Sequence, residues 1–124
     1  MCIRDRSVAA LGYDGRYLDA NAVSPDSAAR VRAIVENAGA RYTDGGIIGP
    51  PPLQAGTTWL YVSGNDAAFV RTCFANSPLT VTELGDDPTA ASALKMCFAA
   101  WTKGSSALLP VSYTHLTLPT IYSV

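Results

Sequence analysis

The stretch ALKMCFAAWTKG, residues 93–104, places an ammonium group in a helix-forming run that is otherwise apolar. An ammonium is costly to bury unless it is paired or used. A lysine in such a place offers three hydrogen-bond donors, which suit a carboxylate, a phosphate or a proton-transfer partner. On a helical wheel Ser92, Lys95, Ala99, Thr102 and Ser106 recur at spacings of three and four and form one small, partly polar stripe. Leu94, Phe98 and Trp101 fall on the adjoining apolar face. The pattern alone leaves Lys95 open between a ligand-facing amine and a surface lysine that snorkels to water. Lys103 reads as a solvated charge further along the helix.

Two more stretches have the composition of ligand loops. DANAVSP, 19–25, ends one run of strand type and opens a helix. In open α/β sheets that junction is where ligands bind. Asn21 and Ser24 offer donors and acceptors there, and the helix start offers N–H groups to an anion. Plain capping by Ser24 accounts for the same residue equally well. DGGIIGPPP, 44–52, also follows a strand. Its glycines permit close backbone approach, either to a ligand or to the rest of the chain in a tight turn. It lacks the GxxxxGK[ST] of a phosphate loop, and no GxGxxG occurs anywhere in the sequence. The one histidine is His115, so a histidine-based triad has nothing to stand on. Cys2, Cys73 and Cys97 have no paired CxxC spacing, and we expect neither a metal site nor a disulfide framework.

The elements that must position these residues follow from local signals. GRYLDANAV, 15–23, reads as a buried strand with a loop at its end. Ser24 as N-cap, Pro25 at the first helical position and Asp26 in the first turn open a helix that Gly39 closes. Strands are expected at 40–48, 57–64 and 79–85, and a short helix at 65–75. Pro88 begins a long helix that reaches about Leu109. GPPP at 49–52 fits neither a ladder nor a helix interior. The order strand, helix, strand, strand, helix, strand, helix points to a layered α/β sheet. The last helix is apolar nearly all round, as suits a helix buried between two domains.

The chain has 124 residues, 48% of them hydrophobic and 15% charged, with a formal net charge of −1. That is globular composition, with no basic patch for nucleic acid and no run long enough to span a bilayer. We expect no nucleic-acid partner, no membrane contact and a reducing cytoplasmic setting. The termini read differently. Met1-Cys2-Ile3-Arg4-Asp5 can be encoded as ATG TGT ATA AGA GAC, whose reverse complement translates as Val-Ser-Tyr-Thr-His, the residues 111–115. Such mirrored ends are what a sequencing-library adapter gives when it is read in an open frame. We therefore expect residues 1–6 and 111–124 to be adapter-derived, and exclude them, with His115, from the functional reading.

In this order, YLDANAVSP, DGGIIGPPP and ASALKMCFAAWTKGSSAL resemble the β-hydroxyacid dehydrogenases, the family of 3-hydroxyisobutyrate dehydrogenase with 6-phosphogluconate dehydrogenase as a relative. The resemblance covers nearly all of 7–110. It implies the C-terminal half of a Rossmann-type NAD(P)-binding domain over 7–87 and, over 88–110, the start of the interdomain helix of an all-helical C-terminal domain. It implies NAD or NADP as cofactor, a small-molecule hydroxyacid-type substrate and a homo-oligomeric full-length protein. Lys95 matches the family's catalytic lysine. Asn21, Ala22 and Ser24 match the loop near the nicotinamide, and Ile48, Gly49, Pro50 and Ala99 the substrate-binding positions. Several depart from the usual pattern: Ile48 stands for Ser, Pro50 for Gly, Ala99 for Asn and Ala22 for Thr. These departures suit a larger or less polar substrate, or reduction of another C=O or C=N bond. A related imine reductase and a non-catalytic α/β binding module are the competing expectations. Without its phosphate-binding turn the isolated chain is expected to be inactive.

Overall fold

The computed structural model describes residues 7–8 and 10–121, and the elements follow in the expected order. They are β1 (Arg16–Asp19), α1 (Pro25–Asn37), β2 (Arg41–Ile48), β3 (Trp59–Ser63), α2 (Ala67–Cys73), β4 (Thr80–Glu83) and α3 (Ala90–Ile121). One sheet holds the strands in the order β1-β2-β3-β4. β1 pairs parallel with β2, and β3 with β4, each pair joined by a helical crossover. β2 and β3 are antiparallel. The connection from Gly49 to Thr58 is too short for a parallel return, which needs a dozen or more residues. The pinned loop therefore reverses the chain direction.

Helix α1 starts as its sequence dictates. Ser24 has extended dihedrals and its side chain accepts from the Ser27 N–H at 3.3 Å, with Pro25 next in line. Gly39, at φ +96, lets the chain leave toward β2. Alternation along the strands sorts the side chains onto two faces. Val31 and Val35 of α1 pack with Ala40, Tyr42 and Tyr17 on one face, where the two tyrosine rings stack with centroids 6.4 Å apart. Leu60 and Val62 pack with Ala67 and Val70 of α2 on the other, together with Leu18, Phe74 and Val81. Asp44, Ser63 and Ser92 are buried on the first face, under α3. The result is a sheet with α1 and α3 on one side and α2 on the other.

Two features differ from the sequence reading. β1 is only four residues long, so the loop begins at Ala20. Helix α3 does not stop near Leu109 but continues to Ile121. Pro110 removes one N–H from the helical ladder and its ring crowds the carbonyl one turn back, yet the helix continues past it. Residues 1–6 and 122–124 of the expected adapter-derived ends lie outside the described residues, and 111–121 extend α3. Among the described residues no helix is long and apolar enough to cross a membrane.

Candidate active site

The start of α3 fixes the site, and its anchors come from far away in the sequence. A helix leaves its first N–H groups without internal partners. Here Ala91 N donates to Ser63 Oγ at 3.1 Å, and Ser92 N donates to Asp44 Oδ2 at 2.6 Å. The Ser92 hydroxyl donates to the other oxygen, Asp44 Oδ1, also at 2.6 Å. Asp44 and Ser63 face each other across β2 and β3, and Asp19 stands beside Asp44 in β1. One row of polar side chains thus crosses three strands beneath the helix start. Asp87 holds the turn before it, accepting from Thr89 N and Oγ1 at 2.9 Å each.

Asp44 is almost wholly enclosed, at 1% exposure. Burial pushes its carboxyl above the ordinary 3.8, and Asp19 adds to the rise, against the lowering pull of the Ser92 bonds. The native chain therefore holds that proton more tightly than the unfolded chain does. The associated stability is fully present below 3.8 and is lost as pH rises through the raised value. Asp44→Asn keeps the shape and can satisfy both Ser92 groups without a charge. We expect the variant to be at least as stable as the wild type at neutral pH, and the difference to shrink as the solution is acidified. Urea unfolding of both proteins at neutral and mildly acidic pH measures this. A wild type that loses ground to the variant on acidification would reverse the sign.

From this anchor α3 runs along β2 toward its carboxyl end. Asp44, Gly46 and Ile48 share one face of β2 and lie beneath successive turns of the helix. At Gly46 a Cβ would come within 2.9 Å of the Ala91 carbonyl oxygen and 3.2 Å of Lys95 Cβ, so only glycine admits this approach. Lys95 is partly exposed, and its Nζ donates to the Ile47 carbonyl oxygen. The β1 pairing ends at Asp19–Asp44, so Ile47 and Ile48 lie on a part of β2 that outruns β1. The amine therefore sits at the carboxyl end of a parallel strand, in the step left where β1 stops.

The other candidate residues divide. Asn21 and Ala22 are exposed just past β1, with Asn21 N donating to Asp19 Oδ1 at 3.0 Å. An open hollow of about 600 Å³ adjoins Asn21, lined also by Asp19, Ala20, Leu18, Leu11 and Val8. Ser24 caps α1. Gly49 has φ +128, and a Cβ there would lie 2.5 Å from the Thr57 carbonyl oxygen. Its glycine is thus required by the chain's own return path, which Thr58 Oγ1 closes by donating to Pro50 O at 2.6 Å. Ala99 lies one turn beyond Lys95, partly exposed and without a polar group. Thr102 and Ser106 spend their hydroxyls on carbonyls of their own helix. On the far side of α3, Ile48 joins Trp59, Tyr61, Phe98 and Trp101 around an apolar hollow of about 470 Å³. Among the described residues no cluster of three His, Cys, Asp or Glu could hold a metal ion.

Asp44 and Ser63 were not singled out by sequence pattern as residues of the site. The available signal was a carboxylate in the middle of an expected strand, which needs a partner wherever that strand is buried.

The topology is that of part of a Rossmann-type domain running into a long helix. Solved structures of similar fold include imine reductases, reductive aminases and a protein with structural similarity to 3-hydroxyacid dehydrogenases. The conserved protein MTH1747, whose structure resembles 3-hydroxyacid dehydrogenases, is 27% identical with a TM-score of 0.68, over 91% of this chain and 46% of its own. A reductive aminase from Aspergillus terreus, in complex with NADPH and ethyl-5-oxohexanoate, is 25% identical with a TM-score of 0.67, over 83% of this chain and 36% of its own. An imine reductase from Aspergillus terreus, in complex with NADPH4 and dibenz[c,e]azepine, is 26% identical with a TM-score of 0.62, over 74% and 33%. The chain thus spans less than half the length of these structures. No protein-family model and no curated protein sequence matches it.

Proposed function

We propose that this chain is the lysine-bearing segment of an NAD(P)-dependent oxidoreductase that reduces a C=O or C=N bond, or oxidises the corresponding alcohol or amine. One observation carries the reading: the Lys95 amine reaches the Ile47 carbonyl at the carboxyl end of β2, in the step beside the end of β1. Ligands of open α/β sheets bind in such crevices. The fit to a dinucleotide is good at one end. Asn21 borders an open hollow at the carboxyl end of β1, and Ala22 and the start of α1 follow it in the chain, while the sequence has no glycine-rich turn for the pyrophosphate.

The nicotinamide, when bound, supplies or accepts the hydride. The chain's own part is the proton. Ile47 O takes one of the three Lys95 donors and holds the amine over the end of β2, which leaves donors to meet a substrate oxygen or nitrogen. In reduction Lys95 gives that atom a proton as negative charge builds on it; in oxidation it takes the proton back. Ile48 and Ala99, where the resembled family has Ser and Asn, offer no polar atom to hold a substrate carboxylate. That supports a less polar substrate than a hydroxyacid, and the reductive aminase and imine reductase above are structures of this kind. Cytoplasmic location and a homo-oligomeric complete protein belong to the same proposal.

A protein of the neighbours' length carrying this segment is expected to consume NADPH with ketones or cyclic imines, and more slowly with oxo-acids. The 124-residue chain alone is expected to bind NADPH more weakly than micromolar. Submicromolar binding by the chain would overturn only the expectation that a glycine-rich turn is needed for affinity, whereas no NADPH consumption with any of these substrates by the longer protein would overturn the reading.

A further inference from the structure

We infer that Asp44 is a positioning residue for Lys95, acting through the first turn of α3. This rests on the reading of Lys95 as the proton-transfer group, but the geometry stands apart from it. Both Asp44 oxygens are committed to Ser92, one to its N–H and one to its hydroxyl, each at 2.6 Å. Ser63, its partner across β2 and β3, takes the preceding N–H of Ala91. Ser92 and Lys95 are three residues apart, neighbours on one helical face. Two strands therefore grip the helix one turn below the amine.

The sheet beneath sets the second constraint. Gly46 leaves no space between β2 and the helix at Ala91 and Lys95. Gripped at Ser92 and seated on Gly46, α3 can neither slide nor turn without breaking a bond or meeting β2. The Lys95 stem is thereby delivered to one spot, from which Nζ reaches Ile47 O. A capping residue drawn from the helix's own flank, as Ser24 is for α1, would fix where the helix starts. It would not fix the helix against the strand that carries the acceptor. Asp44 does both, because Ile47 lies three residues along the same strand.

The chain's two lysines, Lys95 and Lys103, make the test direct. Each amine is acetylated with N-hydroxysuccinimidyl acetate, and the rates are compared by mass spectrometry. Lys103, exposed further along the same helix, is the internal reference. Asp44→Ala is expected to raise the Lys95-to-Lys103 ratio about fivefold, the protection one net hydrogen bond confers. Asp44→Asn, which can still serve both Ser92 groups, is expected to keep the wild-type ratio. Ser92→Ala, which removes one bond and favours the helix, gives a smaller rise and serves if Asp44→Ala does not fold, as circular dichroism reports. An unchanged ratio in Ser92→Ala and in a folded Asp44→Ala overturns the inference, and so does an Asp44→Asn variant that behaves like Asp44→Ala. Acetylation rates do not depend on turnover, so a failed assay for reductase activity speaks against the function alone.

Discussion

Lys95→Met, placed in a protein of the neighbours' length that carries this segment, is expected to lower turnover about a hundredfold to ten-thousandfold, the range of a single acid–base group. Methionine keeps the length and apolar stem of lysine and removes the amine. The helix start is untouched, since its bonds run from Ala91 and Ser92 to Ser63 and Asp44. Cofactor affinity, read by NADPH fluorescence, should therefore hold while turnover falls. Lys95→Arg should not restore the rate: a guanidinium keeps the charge but does not release its proton in a protein. Turnover of Lys95→Met within a few-fold of the wild type would remove the lysine from the reaction and leave it a helix-to-strand tie.

The second large effect is expected at Gly46→Val. A Cβ at this position meets backbone on the first side, the Ala91 carbonyl oxygen at 2.9 Å, and Lys95 Cβ on the second at 3.2 Å. Neither neighbour is the free end of a flexible side chain, so the helix must lift or β2 must bend. Overpacking of this kind costs about 1–3 kcal/mol, measured as a fall in the urea midpoint. The lift also draws Lys95 away from Ile47 O, which should appear as faster acetylation of that amine. Gly46→Val with the wild-type urea midpoint would show that α3 does not seat on β2 as described.

Local signals carried much of the fold into the sequence. Ser24, Pro25 and Asp26 at one end and Gly39 at the other define α1 without reference to anything distant, and the structure ends it within two residues of that glycine. The glycines of DGGIIGPPP announced a close backbone approach. What approaches Gly46 and Gly49 is the chain itself, at Ala91 and at Thr57, which composition cannot distinguish from a ligand. The direction of β3 was decided by the length of a loop, not by the pattern of either strand. Lys95 was legible as an anomaly, a charge in an apolar helix. Its anchor was not, because Asp44 and Ser92 are 48 residues apart and Ser63 and Ala91 are 28 apart. No periodicity spans such distances. The overrun of β2 past β1, which creates the step at Ile47, depends on strand register and is hidden from the sequence for the same reason.

The distant anchoring of α3 also dictates an order in time. Nucleating a helix is unfavourable, and a nearby cap ordinarily eases it. α1 has such a cap and can flicker into shape while the chain is still open. The N–H groups of Ala91 and Ser92 find their acceptors only after β2 and β3 have met, and closing those loops is slow compared with a local turn. The bonds that aim the lysine thus form only once β2 and β3 are paired, and they are lost when those strands part.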